Sequence, residues 1–188
     1  MPNLAPSDVV LLFADLQDSI VGHSATNGEA AIRKAAGALA VLARDLAIPA
    51  VASVVPFGTD DPRPLAEITA ALPDVPVLAR GGPSVFAHAL TRDAILGTGR
   101  RTLVLAGVAS EVVVLHASLR AREAGLAVHV LLDASGGFSP RTEAAALREI
   151  EAAGGVTSSV ASFATRLADA FDGPEGRAAM AALVSLMG

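Results

Sequence analysis

The chain has no cysteine, no tryptophan and no tyrosine, and six phenylalanines make up its whole 3% of aromatic residues. The missing thiol excludes disulfides, thiolate metal sites and any covalent route through cysteine, and it fits a cytoplasmic protein. Few aromatics in a chain that is 52% hydrophobic mean an interior of small aliphatic side chains, chiefly alanine and valine. Lysine occurs once, at Lys34, and the other basic residues are arginines scattered along a chain of net charge −5. A nucleic-acid surface needs a clustered basic patch, so that class of partner is not expected. Long hydrophobic runs are missing as well. Residues 126–132 form one of the longest, far short of the ~20 residues that a bilayer span requires, so no membrane partner is expected either. The opening Met1–Asp8 stretch has no basic segment leading into an apolar one and does not read as a signal peptide.

What is present is an alternation of short apolar runs with helical patterns, the βαβ rhythm of a parallel sheet. At 188 residues the chain suits one domain, residues 1–188, with a C-terminal helical extension over about 163–188. Strands are expected at Val9–Asp15, Ala50–Val55, Val77–Arg80, Thr102–Gly107, Ala127–Ala134 and Val156–Ser159. Helices are expected from Asn27 or Gly28 to Leu46, at Pro64–Leu72, Ala87–Gly97, Glu111–Ala124, Arg141–Ala153, Phe163–Phe171 and Glu175–Leu186. Six strands with covering helices give a three-layer α/β/α, Rossmann-like domain around a six-stranded parallel sheet. Ligands in such sheets sit beyond the carboxyl ends of the strands, and Asp15, Arg80, Gly107 and Asp133 all fall at such ends.

Asp15 follows an apolar central strand, where partial desolvation raises a carboxyl pKa and suits proton transfer. A loop-capping role is the alternative. Arg80 follows the third strand, next to Gly81 and Gly82. Its guanidinium stays charged, and would hold Asp15 ionised or clamp a substrate oxygen. A surface arginine on a glycine-rich loop is the plainer reading. Matching positions and opposite charges predict that the two side chains meet across a cleft. In the Val108-Ala109-Ser110 turn, Ser110 reads as a helix N-cap rather than a nucleophile, because no base is positioned near it by sequence. His116 lies on the same helical face as Val113. It could border the cleft and donate to a substrate, although a lone histidine there is more often packed or at an interface. His23, His88 and His129 show no metal-ligand spacing, and Ser53–Asp61 contains no Asp-x-His arrangement, so neither metal nor cofactor is expected.

Residues 103–125 read as a buried strand, a tight turn and a helix, with Gly107-Val108-Ala109-Ser110-Glu111-Val112-Val113-Val114 at its centre. This element resembles the nucleophile turn of the isochorismatase-like hydrolases, the cysteine hydrolase superfamily, whose usual pattern there is Gly-Val-x-Thr-x-x-Cys-Val. The resemblance places Val113 at the nucleophile position, where a valine methyl cannot attack a carbonyl. It implies that Asp15 and Gln17 form the family's Asp-x-Gln acid–base motif. It also implies that Arg80 replaces a usual lysine in a Lys-x-x-x-Ser-Ala-Phe-like stretch that here reaches Phe86, as in a subgroup of small hydrolases with an Ala-Arg-x-Gly segment. By the same resemblance a non-proline cis bond joins Val108 to Ala109, the turn's amides with that of Val113 form an oxyanion hole, and Asp133 ties down its loop. Gln17, Phe86, Val108, Ala109, Ser110 and His116 would then contact a small-molecule substrate.

Three functions fit this frame. The first is a hydrolase or lyase using Asp15 as acid or base without a covalent step, as true isochorismatases cleave a vinyl ether by protonation. The second is a non-catalytic relative that binds small molecules or acts as a scaffold. The third is a non-hydrolytic enzyme of a specialised pathway with the pocket reused. Isochorismate itself, a dianion, would call for more cations than Arg80. A homo-oligomer is expected, because residues 178–187 are almost wholly apolar and a terminal helix reaches its own domain on only one side.

Overall fold

The computed structural model describes residues 4–58 and 61–188. Residues 1–3 of the opening stretch, which does not read as a signal peptide, and Thr59 and Asp60 of the stretch lacking Asp-x-His, lie outside the described residues. Six parallel strands, β1 (Val9–Ala14), β2 (Ala50–Val54), β3 (Val77–Ala79), β4 (Thr102–Gly107), β5 (Ala127–Leu131) and β6 (Val156–Ser158), form one sheet in the order β3-β2-β1-β4-β5-β6. The order turns back at β1, so the crevice for a ligand opens beyond the carboxyl ends of β1 and β4.

Strand periodicity divides the core in two. Val9, Leu11 and Phe13 of β1 face one hydrophobic layer, while Val10, Leu12 and Ala14 face the other; successive side chains of a strand point to opposite faces. The first layer is covered by α2 (Glu29–Asp45), α3 (Ala66–Ala71), α7 (Val160–Thr165) and α8 (Pro174–Met187). The second is covered by α4 (Ala89–Leu96), α5 (Leu115–Glu123) and α6 (Pro140–Ala152). Alanines dominate the buried face of α2, at positions 35, 36, 38, 40 and 43. Small side chains let it lie close to the sheet, as the composition anticipates.

Several boundaries differ from the sequence reading for identifiable reasons. A short helix, α1 (Asp18–Val21), follows Gln17 and is too brief to leave a periodic signal. The helix expected at Phe163 starts at Val160, because two caps act there. Ser159 Oγ accepts the Ser162 N–H at 3.1 Å, and the Asp133 carboxylate accepts the Val160 N–H at 2.9 Å. The helix expected from Glu111 opens with a wide π-type turn, Ser110–Val114, before α5 proper. Such turns are frequent at functional sites.

Candidate active site

Asp15 leaves β1 in the left-handed region, φ +56°, a conformation that aspartate tolerates better than most residues. Its N–H donates to the Ser53 carbonyl at 2.9 Å. Its carboxylate receives two side-chain bonds, from Ser53 Oγ at 3.3 Å and from Arg80 Nη2. The second is an ion pair between nearly buried side chains, 2% exposed for Arg80 and 8% for Asp15. Arg80 Nη1 donates to the Gly82 carbonyl, while its buried Nε has no protein partner. Burial pushes the Asp15 carboxyl up to about 6, against the opposing pull of the Arg80 charge and the bonds from Arg80 and Ser53. A carboxyl poised there can exchange a proton near neutrality.

The second wall comes from β4. A Cβ at Gly107 would lie 2.5 Å from the Ala14 carbonyl oxygen, so glycine is required for the close approach of the two strand ends. The Val108–Ala109 peptide bond is cis. Val112 and Val113 then bring their side chains to the cleft from the π-type turn.

Two adjoining hollows meet at Asp15 and Val112. One, of about 360 Å³, is walled by Ile20, Val108, Ala109 and Val113, with His23, Phe57 and Phe138 at its mouth. The other, of about 270 Å³, runs past Arg80 and the Gly81-Gly82-Pro83 loop to Val55 and Pro56. A roomier hollow of about 620 Å³ lies by Pro49–Val51 and Pro76, at the opposite ends of β2 and β3. We place the site by its chemistry, at the smaller pair.

Asp15, Arg80, Val108, Ala109 and Val113 are therefore brought together, and four expected contacts are not. Gln17 is buried and exchanges paired bonds with the Val55 backbone, Nε2 to the carbonyl at 3.0 Å and the Val55 N–H to Oε1 at 2.8 Å. It ties the end of β1 to that of β2 and does not line the cleft. Ser110 is not the cap: its hydroxyl donates to Glu143 Oε1 at 2.7 Å and its N–H to the Gly136 carbonyl at 2.8 Å. Phe86 belongs to the same buried core layer as Val113 and lines neither hollow. His116 is an exposed residue of α5 and also lines neither. Conversely, Ile20, His23, Phe57, Val112 and Phe138 carried no sequence signal. The His23 and Phe57 rings meet edge to face at 5.2 Å. Asp133 is set away from the cleft, holding the start of α7, and its carboxyl is raised by burial.

Among the described residues, no three histidine, aspartate or glutamate side chains gather as metal ligands. Among the same residues, no helix is long and apolar enough to cross a membrane.

Known proteins share this fold. YcaC from Pseudomonas aeruginosa, solved with hexane-2,5-diol and covalent acrylamide, superposes with a TM-score of 0.88 at 26% identity, over 98% of this chain and 94% of that one. The YcaC gene product of Escherichia coli, an octameric hydrolase of unknown specificity, gives 0.87 at 26% identity, over 98% and 89%. In sequence, the probable hydrolase YcaC of Escherichia coli (strain K12) is 35% identical over 119 residues. That match takes in 62% of this chain but spans only 57% of the relative's length. The isochorismatase domain matches residues 9–162, from the first residue of β1 into α7, and on that extent of agreement the chain belongs to the isochorismatase family.

Proposed function

We propose that this hydrolase-like protein acts on a small molecule by non-covalent acid–base chemistry through Asp15, without a thiol nucleophile. The observation that carries the reading is the buried Asp15–Arg80 pair at the junction of the two hollows. Each carboxylate oxygen keeps a lone pair beyond its bond to Ser53 or Arg80, so Asp15 remains able to reach a ligand. Protonated Asp15 gives its proton to the leaving oxygen or nitrogen as that bond breaks. The resulting carboxylate then takes a proton from the attacking water and is restored. Arg80 holds the carboxylate in place throughout and stabilises its charge. Val113, at the turn that bears the family's nucleophile, offers only methyl groups.

For Asp15 acting first as acid, turnover falls as pH rises through about 6, where its proton is lost. A pH–rate profile of any small ester, amide or vinyl ether found to be cleaved checks this, and a flat profile from about pH 5 to 8 excludes the role. The apolar lining supports a second reading, a relative that binds small molecules without turnover. A bound ligand recovered unchanged after prolonged incubation would favour it.

The reading extends to assembly as a homo-oligomer. Helix α8 buries Gly176, Ala178, Ala179 and Ala182 against α2 and α7 but exposes Met180, Val184 and Met187. This apolar face suits a partner subunit, in line with the octamer of the Escherichia coli relative. Light scattering should give a multiple of the 18.8 kDa chain mass, reduced in Val184→Glu. A monomer mass for the unaltered protein overturns the assembly.

A further inference from the structure

We infer that the cleft selects uncharged, compact molecules with a hydrogen-bond donor at one end and an apolar body at the other. The inference rests on Asp15 being the group that meets the ligand. It follows from how completely the neighbouring charges are engaged.

Among the described residues, Arg80 is the only arginine or lysine lining either hollow, and the one histidine, His23, stands at the mouth against Phe57. Arg80 is committed to Asp15 and to the Gly82 carbonyl, and its side chain is almost wholly buried. Above about pH 6, where Asp15 is ionised, the pair is neutral as a unit. Among the described residues, the acidic side chains Glu111, Glu143 and Asp18 near the mouth are engaged elsewhere. Glu111, one residue before Val112, accepts the Phe138 N–H at 2.9 and 3.2 Å and the Thr142 hydroxyl at 2.6 Å. Glu143 accepts from Ser110. Asp18, on α1 beside Ile20, pairs with Arg33, which also binds Glu29 and Glu67. An anionic ligand would therefore shed its water against Val108, Ala109, Val112 and Val113 with no arginine or lysine free to receive it and only His23 at the rim. A cationic one would find its natural partner already neutralised. Both costs are large for an unpaired charge. A neutral O–H or N–H, by contrast, meets the open lone pairs of Asp15.

Size and shape narrow the class further. The main hollow, about 360 Å³, lies near the lower end of the roughly 300–1,000 Å³ typical of small-molecule sites. Its mouth is framed by Phe57 and Phe138, 47% and 56% exposed, which would close on an apolar body and gain from its burial. Glu111 fixes the backbone of Phe138 from the turn that carries Val112, so wall and rim keep a constant spacing.

Binding of matched probes by calorimetry or ligand-observed NMR tests the inference on the intact protein: hexanamide against hexanoate and hexylammonium, and benzamide against benzoate. The amides should bind at least about tenfold more tightly than their charged counterparts, since only the latter bury a charge. Phe138→Ala, a change at an exposed position, should weaken hexanamide binding, and Val112→Trp should block it by filling the junction. Equal or tighter binding of the charged probes, no binding of any probe at millimolar concentration, or amide binding indifferent to Phe138→Ala would each overturn the inference. The acid–base reading stands or falls separately. A selectivity for amides that persists while Asp15→Asn leaves turnover intact keeps the ligand class and discards the acid.

Discussion

Asp15→Asn should reduce turnover by about a hundred- to ten-thousand-fold, the usual worth of a positioned general acid or base, and should abolish the limb near pH 6. Asparagine retains the shape of the side chain and an oxygen to receive Ser53 Oγ or Arg80, whose bonds Asp15 now accepts. What it lacks is a titrating proton. Far-UV circular dichroism should be unchanged, although some loss of thermal stability is expected because the Arg80 charge remains buried without its counter-ion. Steady-state kinetics on the folded variant are decisive: turnover within a few-fold of the parent would move the chemistry away from the end of β1.

Arg80→Met should destabilise the fold by about 3–5 kcal/mol at neutral pH, the cost of leaving one member of a buried pair uncompensated. Methionine fills much of the same space, so little of this arises from a cavity. The loss should depend on pH in a definite direction. With the guanidinium gone, the folded-state pKa of Asp15 rises even further above the ordinary 3.8 than its present value of about 6. The native state then binds a proton that the unfolded chain releases, so stability drops as pH rises from 3.8 through the new folded value. Urea midpoints should therefore differ most from the parent at alkaline pH and converge towards pH 4. Pairing Arg80→Met with Asp15→Leu should recover much of the loss, because a buried ion pair exchanged for apolar groups is often near neutral. A pH-independent deficit would mean that Arg80 acts through packing alone.

The parts legible in the sequence are those written in local pattern. The strands are bounded to within a residue or two except at the end of β5. The inner ones show as apolar runs because they are buried on both faces of a covered sheet, while the edge strands β3 and β6 are only partly buried. The Asp15–Arg80 meeting was legible because opposite charges at the ends of strands on one side of the sheet have few other places to go. Failures came wherever a partner distant in sequence decided the outcome. Ser110 has the composition of a cap, yet Glu143 on α6 takes its hydroxyl. Gln17 looks like a ligand-facing amide beside Asp15, yet it fits the open backbone of Val55. Phe57 and Phe138 lie in loops with no periodicity, and only the tertiary fold brings them to one opening.

The near-contact between Gly107 and Ala14 has a consequence for how the protein could be retargeted. With no room for even a methyl group between the two strand ends, the Asp15 segment and the cis Val108–Ala109 turn are joined as one piece. Neither can be reshaped without disturbing the other, which makes the floor of the pocket a poor place to redesign. The mouth is built differently: His23, Phe57 and Phe138 stand on separate loops, two of them half in solvent. New specificities are therefore best sought by libraries at those three positions, which can vary the aperture while the chemistry beneath it stays as built.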